Sequence, residues 1–155
     1  MSFDPLEVAR GIVSWMRSYE RRRFLRASPV VVEASLSGNG LDFTVEVRCR
    51  VSIDMDEDGY WYWDARCIDE GSEAYESADE AEAALGIWMQ RQAQSLCEFL
   101  EEAVDGYEHS ADDGIYVFRP LRTSEYWTDK SVLCRVWATY ERRPAPEERA
   151  EGQNI

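Results

Sequence analysis

Every odd position from 41 to 53 is apolar (Leu41, Phe43, Val45, Val47, Cys49, Val51 and Ile53), with Asp42, Thr44, Glu46, Arg48, Arg50 and Ser52 between them. A period of two predicts one long strand with a buried face and a wet face. Val30, Val32, Ala34 and Leu36 alternate in the same way just ahead of it, and Gly38-Asn39 between the two runs is a two-residue hairpin signal. Pairing about that turn sets Leu36 opposite Leu41, Ala34 opposite Phe43 and Val32 opposite Val45. Beyond an acidic turn at residues 54–59, the run Tyr60-Trp61-Tyr62-Trp63-Asp64-Ala65-Arg66-Cys67-Ile68 predicts a third strand. The register that keeps the apolar odd positions on one face and joins opposite charges sets Arg48 opposite Asp64 and Glu46 opposite Arg66.

Two helical patterns flank these strands. Asp4 caps, Pro5 fits the first turn and Glu7 completes a capping box ahead of Leu6, Ala9, Ile12, Val13, Met16 and Tyr19 at helical spacing. Arg21, Arg22, Arg23 and Arg26 read as cations complementing that helix's C-terminal dipole, and Pro29 stops it. Ser77-Ala78-Asp79-Glu80 is a second capping box, opening a helix with Ala81, Ala84, Leu85, Trp88, Met89, Leu96, Phe99, Leu100 and Val104 on one stripe and Gly106 at its end. Trp15 and Trp88 are expected in the core. A strand over Ile115–Arg119, a loop over Pro120–Lys130 carrying Tyr126-Trp127, and a strand with Val132, Cys134, Val136, Ala138 and Tyr140 follow. The order α-βββ-α-ββ predicts an α+β fold: an antiparallel sheet of about five strands with two helices packed on one face. Residues 1–141 read as one domain, and 142–155, with Pro144, Pro146, Glu147 and Glu148, as a disordered acidic tail.

Composition narrows the chemistry. At 155 residues the chain can close one core without metal or disulfide, and no run approaches the ~20 apolar residues of a membrane span. Acids in the opening residues, unlike a secretory leader, lead us to expect a cytoplasmic protein whose Cys49, Cys67, Cys97 and Cys134 stay reduced. Those cysteines form no close pair and the single histidine, His109, falls in a polar loop, so neither zinc nor a catalytic triad is expected. Asp54-Met55-Asp56-Glu57-Asp58-Gly59 matches the first half of a calcium loop, but Ala65 stands where the closing carboxylate belongs, and a solvated hairpin turn accounts for it better. No phosphate loop or dinucleotide motif is present, so no cofactor and no enzymatic activity are expected.

Charge changes the picture most. Residues 69–113 hold 14 acids against Arg91 alone, which is −13 of the total −14. Glu98, Glu101, Glu102 and Asp105 recur at helical spacing as one stripe, although like charges so placed cost about 0.2–0.5 kcal/mol per pair. A solvated face that confers solubility is the plain account. The sharper expectation is a non-enzymatic acidic inhibitor of immunity type. Its target would be a basic protein, a nuclease toxin or a nucleic-acid-binding defence protein, reached in the second case by nucleic-acid mimicry. The contact residues would be Asp79, Glu82, Glu98, Glu101, Glu102 and Asp105, with Tyr126 and Trp127 as anchors. So acidic a chain is not expected to bind nucleic acid directly. The alternatives are an interaction or scaffold subunit, or a homo-oligomer, using the aromatic hairpin, and a small-molecule-binding domain or motif-free enzyme with a pocket between helix and sheet.

Overall fold

Asp4 caps the first helix in the computed structural model, which describes residues 3–19, 28–65, 70–128 and 130–144. Its Oδ1 accepts the Leu6 N–H at 3.0 Å, and its carbonyl accepts the Val8 N–H at 3.1 Å. In chain order the elements are α1 (Pro5–Tyr19), β1 (Val30–Ser37), β2 (Gly40–Arg48), β3 (Val51–Met55), β4 (Trp61–Ala65), β5 (Glu70–Gly71), α2 (Ala78–Val104), β6 (Glu108–Ala111), β7 (Gly114–Trp127) and β8 (Ser131–Arg143). Ser77 Oγ accepts the Glu80 N–H at 3.2 Å, and the Glu80 carboxylate accepts the Glu76 N–H at 3.2 Å, so the second capping box forms with its return bond one residue further out. Gly106, at φ 81°, takes the left-handed conformation that lets the chain leave α2 for β6.

An antiparallel sheet in the order β1-β2-β8-β7-β6 forms the main layer, and β3-β4-β5 form a second, smaller sheet. Both helices lie on one face of the larger sheet, α1 over β1 and β2, α2 over β7 and β8. This is the expected α+β arrangement. Phe43, Val45, Val136 and Phe118 of the sheet close against Ile12 and Met16 of α1 and Leu96, Leu100 and Val104 of α2, all buried. The smaller sheet packs on the N-terminal half of α2, where Trp63 lies 4.9 Å from Trp88 between ring centroids.

Several expectations are corrected. The long strand from 41 to 53 is two strands in two sheets: β2 ends at Arg48 and pairs with β8, while β3 pairs with β4. Alternation reports which face is buried and is blind to the partner, so it runs unbroken across Cys49 and Arg50. Arg48 therefore faces Ser131 rather than Asp64, and lies 3.5 Å from Glu46 of its own strand. Asp64 faces Ser52, and Arg66 lies outside the described residues. The hairpin zips further than expected, to Met55↔Trp61, because Gly59 at φ 86° permits a short turn. In the first hairpin Leu36↔Leu41 and Ala34↔Phe43 hold, but a bulge between Val31 and Glu33 sets Val31 rather than Val32 opposite Val45.

The loop expected over 120–130 is mostly strand, since β7 runs unbroken to Trp127 with a bulge between Pro120 and Arg122. His109, expected in a loop, pairs with Tyr116 inside β6. Trp15 is 46% exposed rather than in the core, because it stands about a quarter-turn from the centre of the stripe of Val8, Ala9, Ile12, Val13 and Met16. Cys97 and Cys134, expected reduced, form a disulfide with Cα atoms 5.5 Å apart, and Cys49 is disulfide-bonded too. β8 continues through Arg142 to Arg143. Cys67, the arginines from Arg21 to Arg26 and the tail beyond Pro144 lie outside the described residues.

Candidate interaction surface

Helix geometry and the neighbouring strand together decide where the acids of α2 go. At 100° per residue Glu98, Glu101, Glu102 and Asp105 share one side, all four exposed. That side borders β7. Thr123 Oγ1 donates to Glu101 Oε1 at 2.5 Å, and Arg119 lies 3.5 Å from the Asp105 carboxylate. Cys97 is bonded to Cys134, which faces Glu125 across the β7–β8 ladder, so this stretch of helix is fixed over the end of the sheet. Glu98 and Glu102 stay free of ion pairs among the described residues.

Asp79 and Glu82 are exposed as expected but do not join this group. Their azimuths fall about a quarter-turn or more away, and Asp79 lies nearly 40 Å along the helix from Asp105 at ~1.5 Å per residue. Tyr126 and Trp127 are 42% and 40% exposed, and as neighbours in β7 they project to opposite faces. Trp127 shares the helix side with Thr123. Tyr126 stands on the outer face beside Arg135. Only Trp127 is placed to act with the acidic stripe.

The outer face of the sheet holds a group that sequence reading missed. Arg122 and Arg135 lie over the Trp137 ring at 4.1 and 4.4 Å, and Arg135 grips Asp42 through Nε at 3.0 Å and Nη2 at 2.6 Å. Arg135 and Trp137 alternate with the apolar residues of the last strand, a readable signal. Arg122 falls in the segment that the sequence predicts as a loop.

At the aromatic hairpin Trp63 is 7% exposed and belongs to the interior, whereas Tyr60 and Met55 are exposed at the turn. The Asp56 carboxylate is held by its own turn: Oδ1 accepts the N–H of Asp58 at 3.0 Å and of Tyr60 at 2.9 Å. The Tyr60 N–H first, then the Tyr62 hydroxyl and the Asp58 and Gly59 N–H groups, draw the Asp56 pKa below its ordinary 3.8. The half calcium loop is thus an Asx turn whose central carboxylate already has donors.

A cleft of about 230 Å³ between α1 and β1 is lined by Arg10, Val13, Ser14, Arg17, Pro29, Val30 and Val31. No carboxylate or imidazole stands beside Ser14 in that lining to act as a base. His109 is packed edge-on to Phe3 at 5.7 Å, away from this cleft. Among the described residues no group of three or more His, Cys, Asp or Glu side chains is placed to hold a metal ion, and no helix is long and apolar enough to cross a membrane. No family model, curated protein or solved structure matches this chain.

Proposed function

We propose that this chain is a non-enzymatic binding protein that docks on a basic surface of another protein through the C-terminal half of α2, as an inhibitor of immunity type does. One observation carries the reading. Glu98, Glu101, Glu102 and Asp105 form an exposed stripe on a helix that a disulfide and two side-chain ties fix against the sheet. Rigid, preorganised charge steers a cationic partner and keeps the ordering cost of docking small. Asp79 and Glu82, at the far end of α2, and Tyr126, on the outer face of the sheet, stand apart from this contact. Disulfides persist in oxidising compartments and are rare in the cytosol, so the proposal places the encounter in an oxidising setting rather than the cytoplasm.

Capture from the native host under non-reducing conditions, followed by association kinetics, tests this reading. A basic partner should bind fast at low salt, and the on-rate should fall steeply as salt rises, because exposed charges are screened over ~8 Å at physiological ionic strength. Glu98→Lys with Glu102→Lys breaks no tie to β7 and should lower that on-rate by about tenfold or more at low salt. Glu33→Lys with Glu57→Lys, on elements away from the C-terminal half of α2, should leave it within about twofold. Unchanged kinetics in the first variant would reduce the stripe to a solubilising face.

A further inference from the structure

β6 covers only the first part of β7. Its pairs run from Ala111↔Gly114 to Glu108↔Val117, and Gly106 and Tyr107 carry the bonding on to Phe118. From Arg119 to Trp127, β7 pairs with β8 alone. The Thr128 N–H donates to the Ser131 carbonyl at 2.8 Å, and antiparallel bonding alternates from that pair. Tyr126, Ser124 and Arg122 therefore turn their backbone groups toward β8, while Trp127, Glu125 and Thr123 turn theirs outward. Tyr140 fits the same parity, giving its N–H to Asn39 on the other side of β8. No backbone group among the described residues meets the outward set. Proteins commonly guard such an edge with Pro, Lys or a bulge. Here Pro120 and the bulge beside it guard only the start of the bare stretch, and Arg122 to Trp127 carry neither.

We infer that this edge accepts an extended basic segment of the partner as an added strand, an inference that rests on the acidic-face reading above. Side chains of Thr123, Glu125 and Trp127 point to the helix side, so alternate side chains of an added strand rise beside the α2 stripe. The dimensions agree. Glu98 to Asp105 spans about 10 Å of helix at ~1.5 Å per residue, and alternate strand residues stand ~7 Å apart. Two basic residues at i and i+2 thus lie against Glu98, Glu101, Glu102 and Glu125, with Asp105 beyond them already matched by Arg119. The backbone ladder supplies affinity and the alternating cations select the segment. Trp127, 40% exposed at the open end, adds an apolar contact.

The test titrates the full oxidised chain with two synthetic octapeptides: alternating Lys-Val, and the same sequence N-methylated at its central Lys and the adjacent Val, which keeps every charge and removes one N–H facing β7 whichever way the strand runs. The alternating peptide should bind saturably and slow amide exchange at Thr123, Glu125 and Trp127, and the N-methylated peptide should bind about tenfold more weakly. Glu125→Pro removes one outward N–H without touching the β7–β8 ladder, and should weaken the alternating peptide about tenfold. Glu125→Gln, which keeps the N–H, should cost less than about threefold. Equal binding of the two peptides, with no added protection at the three amides, overturns strand addition and leaves the acidic-face reading standing. No binding of either peptide overturns the inference as well, and the capture experiment then judges the reading separately. The two-peptide arm uses the unaltered chain, so poor folding of Glu125→Pro would not blunt the test.

Discussion

Gly11 sits in α1 against Tyr107, and a Cβ there would fall on the Tyr107 hydroxyl. Alanine is normally worth about 1 kcal/mol over glycine inside a helix, yet forcing atoms into a filled site costs about 1–3 kcal/mol. Gly11→Ala should therefore lower stability by about 1–2 kcal/mol in urea unfolding, and Tyr107→Phe in the same chain should recover most of that loss. No feature of the sequence marks Gly11, since its constraint comes from a residue nearly a hundred positions away. Asp56 is the opposite case, a short acidic run whose turn was legible. Its folded pKa is depressed, so its contribution is present above the unfolded value of 3.8 and is lost as pH falls through the folded value. Asp56→Asn keeps the turn acceptor but removes the charge, and should flatten the pH dependence of Tm below about pH 4. Millimolar calcium should leave the Tm of the unaltered chain where it is; a clear rise would show that the carboxylates can leave their turn for a cation.

Helix starts carry their own chemistry, which is why both were readable before any partner was known. Ser77 holds the Glu80 N–H and Glu80 holds that of Glu76, so Ser77→Ala should cost about 1 kcal/mol in urea unfolding. A change within about 0.2 kcal/mol would mean that packing alone sets that end. Strands behave differently. The alternation of Leu41 to Ile53 reported the buried face faithfully, but the pairing belongs to Ser131–Arg143 for one half and Trp61–Ala65 for the other. Pairing is a contact between distant segments, so a local reading ends β7 at the proline for the same reason. Pro120 marks a bulge on a bare edge, where a missing N–H costs nothing, and the strand runs on to Trp127. The register of Leu36 and Leu41 was legible because a two-residue turn fixes it locally, until the bulge at Val31 intervenes.

At the scale of the whole molecule, charge was legible and the cross-link was not. Counting acids along the chain locates the anionic segment without any coordinates, but which of those acids gather depends on how α2 is pinned to the sheet. Glu98 to Asp105 lie where Cys97 meets Cys134, 37 residues apart in sequence, whereas Asp79 and Glu82 lie at the far end of the helix. Spacing of 37 residues says nothing about adjacency, and each cysteine by itself reads as a small buried apolar side chain on its own element. A bond closing that loop restricts the unfolded chain, and the chain-entropy relation gives about 4 kcal/mol at 25 °C. Cys97→Ala with Cys134→Ala should therefore lower the unfolding free energy by about 3–4 kcal/mol against the oxidised chain, while far-ultraviolet dichroism of the native state stays unchanged. Intact mass before and after alkylation checks that the bond is present in the reference. If the bond is present and the two chains unfold at the same urea concentration, the cross-link does not stabilise the fold. The rigidity of the acidic stripe would then rest on packing and on the Thr123 and Arg119 ties alone.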